Sequence, residues 1–289
     1  MGRALAVADP NDVQLVVSMF VLGMVLGELV FGVLADAYGR KLTIQIGLGI
    51  FAIGCVVSVL AGSLEVVLVG RFIQGIGAAG PKIGSRALIR DRFEGAEMAR
   101  VMSFIMMIFA LTPMIAPALG QIIVAYGGWQ SVFAVFLAAA LVISLWMGLR
   151  QPETLPPDAR IAIDVSRIVN NSVQILKRVR VVALTVAVGL IFGCILTYVS
   201  LAPAMFFDIY GIDRLFPVYF AALAVSLAIS SFANAQLVRR HGMVRMMRGA
   251  LGGMLTCGSA LTLAAVAMGG HVPLWMFMGA CFGIFFCIG

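Results

Sequence analysis

Three ionisable residues lie where charge is costly. Glu28, Arg71 and Lys82 each sit inside a long apolar run of a 289-residue chain that is 62% apolar and 11% charged. A charge at the centre of a membrane helix costs about 2.5–3.5 kcal/mol on insertion scales, so each needs a partner or a task. Arg71 and Lys82 are 11 residues apart, and at about 100° per residue that spacing returns to within about 20° of the same helix face. Gln74, Gly75 and Ala78 share the face, which reads as a polar, small-residue stripe turned inward. Glu28 and Lys82 lie at similar depth in their runs, so an ion pair is expected if those helices are neighbours. Glu28 then has two readings: a carboxylate that binds and releases a proton, or a permanent structural partner of Lys82. Arg71 cannot itself deprotonate. It serves either to tune a carboxylate or to anchor its helix on backbone carbonyls.

The elements that must position these residues are membrane helices. A chain with so little charge cannot cover itself with polar surface in water, and disordered, collagenous and disulfide-scaffold classes are excluded by the same composition. Nine apolar runs can be read, at 13–34, 42–61, 64–84, 102–125, 129–149, 181–203, 215–238, 249–268 and 272–289. Each is near the ~20 residues a helix needs to cross the hydrocarbon, and none alternates with the period of a barrel strand.

The net charge of +7 is a matter of topology. Sixteen of the 20 Lys and Arg residues fall in alternate loops, those after runs one, three, five and seven. The other face carries only Arg3 and Arg214. The positive-inside bias places the four basic loops in the cytoplasm and the segment 1–12 outside, so no nucleic-acid partner is expected. An outside start without a signal peptide, and a last run lacking any polar flank, both read as cut ends. The five cysteines fall within apolar runs without metal-ligand spacing and read as packing residues.

The chain also repeats itself. Gly32-Val-Leu-Ala-Asp36-Ala-Tyr-Gly39-Arg40-Lys41 and Ala235-Gln-Leu-Val-Arg-Arg-His-Gly242 align at an offset of 203, with Leu34 on Leu237 and Gly39 on Gly242. The polar stretch 150–180 lies between the copies. Two similar halves joined by a linker is the arrangement of parallel-repeat secondary transporters. Within that linker, residues 161–176 carry apolar side chains at helical spacing, either a helix lying on the inner membrane face or a disordered tether.

The first loop resembles the G-x-L-a-D-r-x-G-r-k loop of the major facilitator superfamily. Arg71-Phe-Ile-Gln-Gly-Ile-Gly-Ala-Ala is similar to that superfamily's R-x-x-q-G-x-g-a-a segment. Arg86-Ala-Leu-Ile-Arg-Asp91 and Pro152-Glu-Thr-Leu155 resemble landmarks of its drug–proton antiporters, and the bicyclomycin-resistance (Bcr/CflA) type is the nearest subgroup. The resemblance implies an all-α membrane protein of major facilitator fold, with two pseudo-symmetric bundles and about nine transmembrane helices of the usual twelve, the family's first and last two being absent. The expected domains are 1–149 (family helices two to six), 150–180 (a cytoplasmic linker) and 181–289 (family helices seven to ten).

The resemblance also assigns roles. Arg71, with Glu28 and Lys82, is expected in proton coupling. Gly32, Asp36, Gly39, Arg40, Lys41 and Asp91 are expected to form a charged conformational switch loop. Pro113, Pro117 and Gly120 resemble the antiporter helix segment, with departures at Thr112, Ala116 and Gln121 that weaken the likeness. Gln74, Gly75, Phe192 and Tyr198 are candidates for a substrate cavity, with lipid-facing packing as the alternative for the aromatics. The expected function is proton-coupled efflux of small amphipathic drugs by alternating access. The expected setting is the bacterial inner membrane, as a multi-pass monomer in contact with lipid, without metal or cofactor beyond the coupling proton. No nucleotide motif or catalytic triad points to an enzyme. An importer of a small metabolite on the same fold, and a fragment without transport of its own, remain open alternatives.

Overall fold

The two glycines aligned by the repeat each end a helix at the same place. Gly39 takes φ 105° and Gly242 φ 77°, a region that a side chain rarely enters. Gly39 separates α1 (Leu15–Tyr38) from α2 (Arg40–Val59), and Gly242 separates α8 (Phe216–His241) from α9 (Met243–Ala267). Between them run α3 (Leu64–Arg92), α4 (Gly95–Gly127), α5 (Gln130–Arg150), the short α6 (Val165–Leu176) and α7 (Val179–Ala204); α10 (Leu274–Ile288) closes the chain. The computed structural model describes residues 10–212 and 215–288. Arg3 and Arg214, the sparse charges of the expected outer face, lie outside the described residues.

Among the described residues every regular element is helical, and each of the nine apolar runs overlaps one helix over most of its length. Five helices are long and apolar enough to cross a membrane: Asp12–Tyr38, Arg40–Val59, Gln130–Arg150, Val179–Pro203 and Val244–Ala267. The other runs fall short for particular reasons. α3 carries Arg71 and Lys82 in its length and Arg90 and Arg92 in its last turn, and α10 is only 15 residues long. The apolar helical stretches within α4 and α8 cover Ala118–Gly127 and Val218–Asn234.

The chain divides into two compact units, one of Met1–Met102 with Gly120–Val188, the other of Ser103–Leu119 with Gly189–Gly289. Compared with boundaries at 149 and 181, this division differs at residues 103–119 and 181–188. In unit 1, α3 packs along both α1 and α2, and α2 also packs on α5. In unit 2, α10 packs along α8 and α9, the same pattern displaced by the repeat.

Small residues make the unit 1 crossings possible. A Cβ on Gly27 would stand 2.8 Å from that of Ala79, and one on Gly47 would stand 2.7 Å from both the Gly77 carbonyl oxygen and the Gly80 Cα. Helix backbones therefore meet almost directly, as small residues allow in lipid. Pro81 lies inside α3 and cannot donate to the carbonyl four residues before it, that of Gly77. That is the oxygen facing Gly47. Unit 2 has its own core, built by Ala202, Phe206, Phe216, Leu223, Phe277 and Cys281.

Candidate functional site

The α1–α2 turn of unit 1 gathers the densest set of polar contacts. Arg40 opens α2, and its side chain is only 6% exposed. Its Nη1 donates to Asp36 Oδ1 at 2.9 Å and to the Ala35 carbonyl at 2.5 Å, and its Nε donates to Asp91 Oδ2 at 2.9 Å. One planar guanidinium thus ties the end of α1 to the end of α3, a task suited to its fixed fork of donors. Lys41 turns the other way and donates from Nζ to the Gly148 carbonyl of α5 at 2.7 Å. Gly32 leaves open space beside α1, so no close helix contact is made through it.

A third carboxylate completes the cluster, that of Glu153 in the Pro152-Glu-Thr-Leu155 segment, whose part here no spacing indicated. Glu153 accepts from the backbone N–H of Arg40 at 2.9 Å and of Lys41 at 3.0 Å, which are free donors at the start of α2. It also accepts from Thr154 N at 2.8 Å and Leu155 N at 3.0 Å. Burial pushes the Glu153 carboxyl up, but the four backbone donors, of Leu155, Arg40, Thr154 and Lys41, outweigh it and hold the group below the usual carboxylate range. Gly39 is required twice over here: besides its positive φ, a Cβ on it would lie 2.6 Å from Glu153 Cδ. Thr154 Oγ1 adds a bond to Asp91 Oδ2 at 3.2 Å.

Further along α3, the structure brings Glu28 and Lys82 together as an ion pair, with both side chains about a third exposed. Arg71 forms no ion pair among the described residues. Its Nε donates to the Val16 carbonyl at 3.2 Å and its Nη1 to Gln74 Oε1 at 2.8 Å. The guanidinium also stands 4.3 Å from the centre of the Phe20 ring, a favourable cation–π placement. Arg71 and Lys82 thus both face α1, as their helical spacing required.

The substrate-cavity candidates stand in different surroundings. Gln74 is fully buried and donates to Cys55 Sγ at 3.1 Å. Gly75 packs against the backbone of α1 at Phe20 and Met24. Both are therefore helix-interface residues, because the polar stripe of α3 is spent on neighbouring helices. Tyr198 stacks on Phe220 and meets Phe285 edge-on, and its hydroxyl is buried without a hydrogen-bond partner among the described residues. Phe192 is half-exposed. An apolar cavity of about 580 Å³ lies in unit 2 instead, with Ser230, Asn234, Arg245, Met247, Met254 and Cys287 in its wall. Pro113, Pro117 and Gly120 all fall within α4. Among the described residues no group of His, Cys, Asp or Glu could hold a metal ion.

The chain is similar to several known proteins. The profile of the Major Facilitator Superfamily matches residues 4–289. The bicyclomycin resistance protein homolog of Haemophilus influenzae is 30% identical over 268 residues, covering 92% of this chain and 67% of that protein. An uncharacterized MFS-type transporter of Bacillus subtilis, YdgK, is 30% identical over 78% of this chain and 57% of its own length. The multidrug resistance protein MdtL of Shigella dysenteriae is 33% identical over 72% of this chain and 52% of its own. The chain therefore spans between about half and two thirds of these relatives. Two solved structures share the fold: the human organic anion transporter MFSD10, with TM-score 0.66 and 18% identity over 99% of this chain and 72% of that one, and a D-xylose–proton symporter, with TM-score 0.64 and 17% identity over 96% and 70%.

Proposed function

The chain belongs to the Major Facilitator Superfamily, whose members are membrane transporters and not enzymes, and from that premise we propose proton-coupled efflux of small amphipathic compounds. The reading places the protein in the bacterial inner membrane as a monomer, with the basic loops and the linker in the cytoplasm and transport by alternating access. The observation that carries it is the Glu28–Lys82 pair, a carboxylate and an ammonium held together between two helices of unit 1. The relatives named for bicyclomycin and multidrug resistance support export as the direction.

In this mechanism Glu28 takes up the coupling proton. Neutralising the carboxylate deprives Lys82 of its counter-ion and weakens the tie between α1 and α3, and loss of the proton restores it. Arg71 stays charged throughout and fixes α3 to α1 through Val16. The Arg40 cluster acts as a latch for one conformation. Exposed ion pairs contribute only about 0–1 kcal/mol, but Arg40 is buried and bridges two helices, so its contacts can separate two states. The Met-rich cavity wall in unit 2 suits flexible apolar compounds.

The test is accumulation of a fluorescent amphipathic cation in inverted membrane vesicles energised by a pH gradient, where export from the cell is read as uptake. Uptake that collapses with the gradient, and that Glu28→Gln reduces about tenfold or more while the protein remains folded in the membrane, is expected. Gradient-driven export unchanged by Glu28→Gln would remove Glu28 from the coupling path.

A further inference from the structure

The linker helix α6 has one face that the protein leaves uncovered. Val169, Val173 and Leu176 fall within about 60° of one another at 100° per residue, and they are 55%, 41% and 69% exposed. Ile175 lies on the other side of α6, at least about 100° from each of these three. Gln174 points more than about 90° away. The opposite side of the linker is engaged: Ile168 and Asn171 line a small cavity with Val33 and Asp36 of α1, and Ile161 N donates to the Asp36 carbonyl at 3.0 Å.

Two features of the chain say what covers this arc. First, α6 is tethered on both sides to helices apolar enough to cross a membrane: α5 ends at Arg150, and α7 begins at Val179, three residues after Leu176. The tether holds α6 close to the bilayer surface. Second, the exposed charges bordering α6 are mostly basic: Arg160, Lys177, Arg178 and Arg180, against Asp158 and Asp164. Glu153, the remaining acid of the linker, is occupied at the start of α2. An apolar arc with basic borders is the pattern of a helix lying in the headgroup region of an anionic leaflet.

We propose that α6 docks on the anionic lipid leaflet at which α5 ends and α7 begins, with Val169, Val173 and Leu176 inserted and the bordering Arg and Lys residues on lipid phosphates. This goes beyond the transport reading and stands without it. Electrostatic attraction of about fivefold per basic residue near such a surface makes the docking depend on lipid charge.

The experiment introduces Val173→Cys or Gln174→Cys, both at exposed positions, into the otherwise unchanged chain in proteoliposomes. Labelling by a membrane-impermeant maleimide is followed, with the unsubstituted chain as background for the native cysteines. In vesicles of phosphatidylcholine with phosphatidylglycerol, the cysteine at 174 is expected to react at least about tenfold faster than that at 173, and in phosphatidylcholine alone the ratio should fall to about threefold or less. The unsubstituted chain gives a second readout: tryptic cleavage at Lys177 or Arg178 should slow when the anionic lipid is present. Equal labelling at the two positions in anionic vesicles overturns the proposal. Protection of position 173 that persists undiminished without anionic lipid also overturns it, because lipid charge would then not be what holds the helix.

Discussion

In unit 1, α1 meets α3 through Gly23 and Gly27; in unit 2 the residues in register, Ser226 and Ser230, donate hydrogen bonds to the Phe282 and Phe286 carbonyls of α10. The difference continues around the repeat. Ile44 is 3% exposed and packs with Leu48 on Ala140 of α5, whereas Met247, its counterpart, is 45% exposed in the cavity wall. Phe31, fully buried, has Asn234 as its counterpart, and Gly47 has Ala250. The same helix pattern is thus closed to backbone contact in one unit and left with side-chain bridges and an open wall in the other. Unit 1 also carries the charged clamp. In register with Asp36 and Arg40, unit 2 has Arg239 and Met243, so an acidic partner and its guanidinium are both replaced.

The contrast is most easily broken by adding atoms. Gly47→Val should destabilise unit 1 by about 3 kcal/mol or more, since the backbones of α2 and α3 cannot yield, whereas Ala250→Val in unit 2 should change stability by less than about 1 kcal/mol. Thermal unfolding of the two variants in matched detergent gives the answer, and equal losses would show that the units are packed alike. Next in size is Arg40→Ala, which leaves Asp36 and Asp91 without their shared donor. A loss of about 2–3 kcal/mol is expected, and Arg40→Lys should recover less than half of it because the ammonium lacks the fork.

The smallest effect sharpens the role of the linker. Glu153→Gln should cost about 1 kcal/mol at neutral pH and should flatten the acid limb of the stability profile. The Glu153 carboxyl is held below its ordinary value of 4.5 when folded. The unfolded chain therefore takes up the proton first, and the stability Glu153 contributes is complete above the unfolded value and is lost as pH falls through the folded one. Chemical unfolding between about pH 3 and pH 6 would show this, and identical acid limbs for wild type and variant would remove Glu153 from the capping role.

How much was legible follows from what each signal needs. Helical spacing alone placed Arg71 and Lys82 on one face, and the structure turns both to α1. Matching depth predicted the Glu28–Lys82 pair, and the repeat located two of the positive-φ glycines, Gly39 and Gly242. The cluster of Asp36, Arg40 and Asp91 was readable from the family motif. Glu153 was not, because its bonds to the start of α2 join residues 112 and 113 positions apart, and no local pattern records such a meeting. The surroundings of Gln74 were not legible for a related reason: a polar stripe looks the same in sequence whether it faces a cavity or the thiol of Cys55. The cavity itself owes its place to Asn234, Met247 and Cys287 standing where unit 1 has Phe31, Ile44 and Gly84, a difference visible only once the two units are superposed in register.

Pro81 has a consequence for permeation. A proline within a membrane helix ordinarily frees a carbonyl that water can solvate, and a hydrated carbonyl deep in a bundle is a first step toward a leak of ions. Here the freed oxygen of Gly77 is pressed against Gly47, where the Cα hydrogens of a glycine offer a weak donor and leave no room for a water molecule. α3 can therefore lose a rung of its hydrogen-bond ladder at mid-length and still form a dry seal with α2. Flexibility of α3 and close packing against α2 are thus met at a single residue contact.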